Sequence, residues 1–233
     1  MIKIYNKQTP VLLAVDCIVF GFDGQDLKLL LIKRGFEPEK GKWSLMGGFV
    51  GPKETADQAA SRILYDLTGL KEVYLEPLTL FSDPSREPTS RTVSMTYFAL
   101  IDIDQYQMQI TDKYHPVWFK LDRIPRLIFD HDHMVEEAIG RLRYKASQHP
   151  ILFELLPTNF TIPQITSLYE QVYDVELDKR NFVRKLRSTK LLIKQDEKDK
   201  SSSKKGAYYY QLDQETYQAK FKKFINFMPN PDY

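Results

Sequence analysis

Gly47-Gly48-Phe49-Val50-Gly51-Pro52-Lys53-Glu54-Thr55-Ala56-Asp57-Gln58-Ala59-Ala60-Ser61-Arg62-Ile63-Leu64-Tyr65-Asp66-Leu67-Thr68-Gly69-Leu70 is the stretch on which the reading of this sequence turns. Gly47 to Pro52 reads as a glycine-rich bend. From Thr55 to Thr68, Ala56, Ala59, Ala60, Ile63, Leu64 and Leu67 recur at steps of three and four, the period of a helix with one buried face. Gly69 stands where a helix C-cap belongs. Five residues separate Gly48 from Glu54, and seven separate Glu54 from Arg62. Positions 63, 66 and 67 are three and four apart and share one helix face.

Strands surround this helix. Val11–Phe22 is apolar and β-branched, Asp23-Gly24-Gln25 is a turn, and Leu27–Lys33 completes a hairpin. Val73–Phe81 and Thr92–Ile103 read as strands joined by the polar linker Ser82–Arg91, and Val117–Leu121 as a short strand. Asp130–Ser147 is an amphipathic helix with Met134, Val135, Ala138, Ile139, Leu142 and Ala146 on its apolar side. Pro150 marks a boundary, so the expected division is 1–149 and 150–233. After it, a short helix begins at Leu152. Thr161-Ile162-Pro163 reads as an N-cap and first turn, with a helix to Tyr173. Asp178 caps a second helix through Ser188. Leu191-Leu192-Ile193 pairs with Ala207–Leu212 across the polar hairpin Asp196–Gly206. Helix, turn, helix and a two-stranded ribbon are the outline of a winged helix-turn-helix. The fold class is therefore α+β.

Composition narrows the function classes. With 233 residues, 42% hydrophobic and 27% charged, the chain buries a core without staples. The one cysteine, Cys17, leaves no disulfide framework and no thiolate zinc cluster. Met1–Lys7 lacks the apolar core of a signal peptide, and the apolar run Val11–Phe22 is broken by Asp16 and too short to span a bilayer. A cytoplasmic location and no membrane partner are expected. The formal net charge is only +2, but Asp178–Lys205 carries 11 basic and 4 acidic residues. Such a local excess is the footprint of a polyanion partner or a solvated basic face.

Gly48, Glu54, Arg62, Leu64, Gly69 and Leu70 match the spacing of the Nudix box, and the resemblance covers roughly Thr9 to His149. It implies a Nudix-like α/β/α sandwich of the kind that hydrolyses nucleoside diphosphates linked to another group. The departures are Ile63, where that family has Glu, and Asp66-Leu67, where it has Glu-Glu. Ile63 and Leu67 offer no lone pairs to Mg²⁺, a hard cation needing near-octahedral oxygen ligands. A Nudix fold without Nudix catalysis, and with no cofactor or metal, is expected. His131 and His133 are read as polar surface or pocket residues. Candidates for ligand contacts are Asp83, Arg86, Arg91, Asp130 and His131, with Trp43 and Phe81 as stacking faces. The run Phe81–Pro88 with Arg91, and Phe129-Asp130-His131, resemble segments of the Nudix-related transcriptional regulators.

In the second half, Phe182, Val183 and Leu186 make an apolar side for the helix after Asp178. Lys179, Arg180, Asn181, Arg184, Lys185 and Arg187 take the other positions. A helix in the DNA major groove needs this division: Arg pairs bidentately with guanine, Asn with adenine, and Lys or Arg with phosphates. Lys198, Lys200, Lys204 and Lys205 suit a wing against the backbone. Tyr208-Tyr209-Tyr210 is read as strand and core rather than a base-stacking platform. The whole chain resembles the Nudix-related regulators, in which a metabolite-sensing domain controls a winged helix on operator DNA. The resemblance implies a homodimer on an inverted repeat. It also implies an effector, L-arabinose in the branch with a degenerate box or ADP-ribose in the branch that controls NAD metabolism; the lost metal face favours the arabinose branch. The competing readings are a divergent hydrolase with an accessory nucleic-acid-binding domain, against which Ile63 and Leu67 count, and a scaffold, against which the basic cluster counts.

Overall fold

The computed structural model describes residues 8–110, 114–200 and 205–225, the last six as backbone. The elements are β1 (Leu12–Phe22), β2 (Leu27–Lys33), β3 (Trp43–Ser44), β4 (Met46–Phe49), α1 (Ala56–Thr68), β5 (Glu76–Phe81), β6 (Thr92–Asp102), the short α2 (Ile103–Tyr106), β7 (Val117–Lys120), α3 (His131–Gln148), β8 (Phe160–Thr161), α4 (Ile162–Tyr173), α5 (Lys179–Ser188), β9 (Leu192–Asp199), β10 (Ala207–Leu212) and α6 (Gln214–Ile225). A 3₁₀ turn, Ile151–Leu155, joins the two halves.

β1 is the spine of the larger sheet. It runs parallel to β6 along its length and antiparallel to β4 in its first half and to β2 in its second. Alternation along β1 separates two layers, because successive side chains leave a strand on opposite faces. Val15, Cys17 and Val19 meet Ala59, Ala60, Ile63 and Leu64 of α1. Ile18, Phe20 and Phe22 face the other way, into the cluster that holds Met134, Val135, Ala138 and Leu142 of α3. That second cluster continues through Leu152, Phe153 and Phe160 into Ile165, Leu168 and Val172 of α4 and Leu186 of α5. The sheet, α3 and the helix-turn-helix therefore share one core.

Local chemistry sets the helix ends. Thr55 caps α1 with a reciprocal Gln58 side-chain bond, and Gly69 ends it at φ 85°. Thr161 and Gln164 make the same box at the start of α4, with Pro163 in the first turn. Asp178 caps α5 by accepting from the Asn181 amide. Thr161→Ala should cost about 1 kcal/mol, read as a lower urea midpoint at unchanged slope, with Thr161→Ser close to wild type.

Two expectations are revised. Gly47 and Gly48 do not lie in a bend: they sit in β4, opposite Asp16 and Val15 of β1, and the chain turns only after Phe49. β9 extends to Asp199, so residues 196–199 belong to the ribbon rather than to its connecting loop.

Candidate functional site

A cavity of about 140 Å³ opens where β1, β4 and the start of α3 meet. Asp16, Arg86 and His131 line it, and they are 4%, 8% and 3% exposed. Phe36, Phe49, Tyr114 and Phe129 supply aromatic surface, with Lys33, Arg34 and Glu87 among them. Arg34 lies between two rings, its guanidinium carbon 4.1 Å from the centre of Phe36 and 5.3 Å from that of Phe129. Phe129 is held at φ 50°, a left-handed backbone that a bulky residue adopts at a cost.

The pocket floor is a charged network. Arg86 Nε and Nη2 donate to Asp130 at 2.8 and 2.9 Å, a bidentate pair. The Asp130 side chain makes no capping bond to α3, although Asp130 occupies the N-cap position. Ser94 Oγ donates to Asp16 Oδ2 at 2.6 Å. His131 Nδ1 accepts from the Leu45 amide at 3.2 Å, and its Nε2 faces Asp16 Oδ1 at 3.5 Å. Burial pushes the His131 imidazole below its ordinary value, against the opposing pull of the Asp16 carboxylate. A neutral ring that accepts at Nδ1 carries its proton on Nε2.

Glycine at position 47 follows from this packing. A Cβ there would lie 2.1 Å from Asp16 Oδ1, and one at Gly48 would lie 2.7 Å from Ile63 Cδ1. Gly47→Ala should therefore displace the carboxylate and cost about 1–3 kcal/mol, the usual range for overpacking. Gly140, on the exposed side of α3, has open space around it, and Gly140→Ala should gain about 0.5–1 kcal/mol. Chemical denaturation of the two variants checks both signs.

The structure places the sequence candidates unevenly. Arg86 and His131 line the cavity. Phe81, Asp83 and Asp130 line a neighbouring open groove of about 810 Å³, which shares Arg86 and Phe129 with the cavity. Asp83 is a turn former: its Oδ1 accepts from the Ser85 amide and hydroxyl at 2.7 and 2.5 Å, and those bonds pull its carboxyl below the usual range. Trp43 and Arg91 line neither space. Trp43 packs edge-on against Phe119, with centroids 4.8 Å apart. Arg91 donates to the backbone carbonyls of Ser82 and Asp83, bracing the loop that carries Arg86 inward. Neither side chain reaches the cavity or the groove as the chain stands. Sequence reasoning missed Asp16, Arg34, Phe36 and Phe129. The available signal was Asp16 itself, a carboxylate inside an otherwise apolar strand.

The glutamate of the box is spent internally. Glu54 accepts from Arg62 Nη2 at 2.6 Å, Arg62 Nε at 2.9 Å and the Gly51 amide at 2.7 Å. The Arg62 bonds, then the Gly51 amide, hold its carboxyl down at about 2. Asp66 is exposed and 3.7 Å from Arg62, Ile63 is buried in the core, and Leu67 faces the cavity. Among the described residues no group of three or more His, Cys, Asp or Glu side chains is placed to hold a metal ion. This donor set does not fit the Mg²⁺ site of a Nudix hydrolase.

In the second half, Lys179, Arg180, Arg184, Lys185 and Arg187 are exposed on α5. Asn181 is half-buried and accepts from Arg184 Nη2 at 2.5 Å. Leu186 is buried and Phe182 packs 5.2 Å from Tyr169 of α4, so the apolar side is anchored and the basic side faces out. Lys205 is exposed, and Lys204 lies outside the described residues. Of the three consecutive tyrosines, Tyr210 is buried, while Tyr208 is exposed between two ammonium groups, Lys194 at 3.5 Å and Lys198 at 4.3 Å from its centroid. Lys194 was not among the sequence candidates.

One helix touches both sites. Asp130 and His131 stand at the start of α3. Farther along, Arg143 Nε donates to the Val172 carbonyl at 2.6 Å, and Tyr173 donates back to the Arg143 carbonyl at 2.8 Å. The β1–β2 turn adds a second link, with the Leu27 amide donating to Gln171 at 2.7 Å and Gln171 to the Gln25 carbonyl at 2.8 Å.

Comparison with known proteins agrees with this two-part layout. Residues 10–138 match the NUDIX domain, and residues 152–212 match the NrtR DNA-binding winged helix domain. The chain is 30% identical over 220 residues to the ADPR responsive transcriptional repressor NtrR of Acinetobacter baylyi, covering 93% of this chain and 88% of that protein. The crystal structure of Shewanella oneidensis NrtR complexed with a 27mer DNA superposes with a TM-score of 0.75 at 29% identity, over 88% of this chain and 95% of that one. The NUDIX domain of the same protein, crystallised with ADP ribose, matches 60% of this chain and 96% of its own at 31% identity and a TM-score of 0.51. By these matches, the chain belongs to the NrtR-like family, in which a NUDIX domain is joined to an NrtR DNA-binding winged helix domain.

Proposed function

We propose that this protein is a transcriptional repressor whose winged helix holds operator DNA and whose NUDIX domain binds ADP-ribose and releases it. The observation that carries this reading is α3. Its first turn presents His131 to the cavity, beside the Arg86–Asp130 pair, and Arg143 farther along holds the C-terminal turn of α4, which packs on the basic helix α5. A ligand that moves the floor therefore has a direct mechanical route to the DNA-facing surface. The division of labour falls at residues 149 and 150. Two copies acting on an inverted repeat present two α5 helices with the symmetry of the DNA. A repressor works where the DNA is, the cytoplasm in a bacterium.

ADP-ribose replaces L-arabinose as the expected effector. The Acinetobacter baylyi repressor is ADPR responsive, and the NUDIX domain of Shewanella oneidensis NrtR is crystallised with ADP ribose. The cavity mouth agrees: Phe36, Tyr114 and Phe129 suit a flat base, and Lys33 and Arg34 suit a pyrophosphate held without a metal ion.

The experiment selects a binding site from a random duplex library, then measures operator retention against ADP-ribose and L-arabinose. ADP-ribose should lower operator affinity about 5–150-fold, a coupling of about 1–3 kcal/mol, and arabinose should not. ADP-ribose should also survive incubation with protein and Mg²⁺, because Glu54 is engaged by Arg62 and two box carboxylates are absent. Mg²⁺-dependent turnover that scales with protein and is lost in Asp66→Asn would make the protein a hydrolase instead.

A further inference from the structure

The roll of α5 is fixed by its apolar side. Leu186 is buried in the shared core, and Phe182 packs 5.2 Å from Tyr169 of α4. An α-helix turns about 100° per residue, so the residue two positions from both of them points the opposite way. That residue is Arg184, which is exposed. It stands at the middle of the face that α5 turns away from the protein. It also lies in the second turn, near the end of a recognition helix that meets base edges in the major groove.

An exposed arginine is ordinarily spread over many rotamers, and pairing with a base must collect them into one. In this chain Arg184 is collected beforehand. Its Nη2 donates to Asn181 Oδ1 at 2.5 Å, three residues earlier and so on the adjoining strip of the helix. The oxygen is necessarily the contacting atom, because Nδ2 would set one donor against another. Asn181 is itself held: it is half-buried, and its backbone N–H donates to the Asp178 cap at 3.1 Å. The bond uses a single guanidinium N–H of Arg184 and leaves the others for a base. A bidentate pair between Asn181 and adenine would need the amide edge turned toward the base. Here its oxygen is turned along the helix toward Arg184. A pair of this kind on a helix surface adds little to stability, so its larger consequence lies in the complex with DNA.

We propose that Asn181 is a positioning residue for operator specificity: it holds the Arg184 guanidinium ready to pair with a guanine and does not itself read a base. Guanine is the base because its O6 and N7 are both acceptors, and a guanidinium brings only donors. The assignment rests on the reading of α5 as the DNA-facing helix and names what sets the preference at one base pair.

The experiment selects sites for the full chain from a random duplex library and repeats the selection with Arg184→Ala, Asn181→Ala, Asn181→Leu and Asn181→Asp. Anisotropy titrations then compare the selected duplex with one changed at the base pair concerned. Arg184→Ala should abolish a G·C preference of about 5–150-fold at one base pair of the site. Asn181→Ala should erode the preference at that same base pair by about 2–13-fold, the cost of immobilising a rotamer-rich side chain on binding. Added to Arg184→Ala, it should cost nothing further at that position. Asn181→Leu, nearly isosteric and without an acceptor, should behave like Asn181→Ala, and it decides the matter if melting curves show the alanine variant unfolded. Asn181→Asp keeps an oxygen for Arg184. It should retain the preference while weakening all duplexes alike, because its added negative charge faces the phosphates. Relaxation at a different base pair on removing Asn181 would make that side chain a reader in its own right. An intact preference at every position, with only a lower melting point, would make the contact structural. Either result overturns the positioning role and leaves α5 as the DNA-facing helix. A selected site unchanged by Arg184→Ala overturns the reading of α5 and this role with it.

Discussion

Arg86→Ala is expected to be among the most damaging single substitutions in the chain, lowering stability by about 3 kcal/mol, the lower end of the range for removing one partner of a buried ion pair. The side chain of Arg86 is 4% exposed and that of Asp130 is 20% exposed, so the carboxylate left behind regains some water. The Asp16 side chain, 6% exposed, also loses its nearest guanidinium, 3.7 Å away. At ~2–4 °C per kcal/mol for a chain of this size, the melting temperature should fall by about 6–12 °C. The pair's own share is isolated by the double variant Arg86→Ala/Asp130→Asn, which should recover part of the loss because no unpaired charge remains at residue 130. A single variant as stable as wild type would mean that the floor is solvated and not a closed network.

Arg180→Ala and Arg184→Ala should each weaken operator binding about 5–150-fold if the side chain reads a base. Both arginines are exposed, and Arg184 is oriented by Asn181. Lys194→Ala and Lys198→Ala on the ribbon should behave differently. Their ammonium groups flank the exposed ring of Tyr208, and as phosphate contacts they would weaken all sequences alike and flatten the salt dependence by about one counterion each. Fluorescence anisotropy with operator and scrambled duplexes, at several salt concentrations, separates the two behaviours. Loss of operator and scrambled binding in equal proportion on removing Arg180 and Arg184 would deny α5 the recognition role.

The fold was largely legible because its elements rest on local chemistry. The three- and four-residue steps between Ala56 and Leu67, the caps at Thr161 and Asp178, and the apolar side of α3 all announce themselves in sequence. Gly47 and Gly48 were misread because glycine serves two purposes that look identical in one dimension. A turn needs its positive φ, whereas β4 needs its missing Cβ to admit Asp16 and Ile63. The site was half legible. Arg86, Asp130 and His131 stand out as polar residues in segments that resemble the regulators. Asp16 shows only as a carboxylate in an apolar strand, and its partners do not show at all: it lies 70 residues from Arg86 in sequence, and the parallel pairing of β1 with β6 sets it beside Ser94. Trp43 advertises a stacking face, yet tertiary packing turns it onto Phe119. Arg34 and Phe36 form their slot with Phe129 across the fold, a pairing that no spacing rule reports.

Ligand at the NUDIX cavity and DNA at α5 should oppose each other through α3, and linkage makes that opposition quantitative. The direct test is to titrate ADP-ribose into the protein with and without saturating operator duplex. Operator should weaken ADP-ribose binding by the same factor, about 5–150-fold, by which ADP-ribose weakens operator binding. Identical ADP-ribose affinity in the presence and absence of operator would contradict it, however tightly each ligand binds alone.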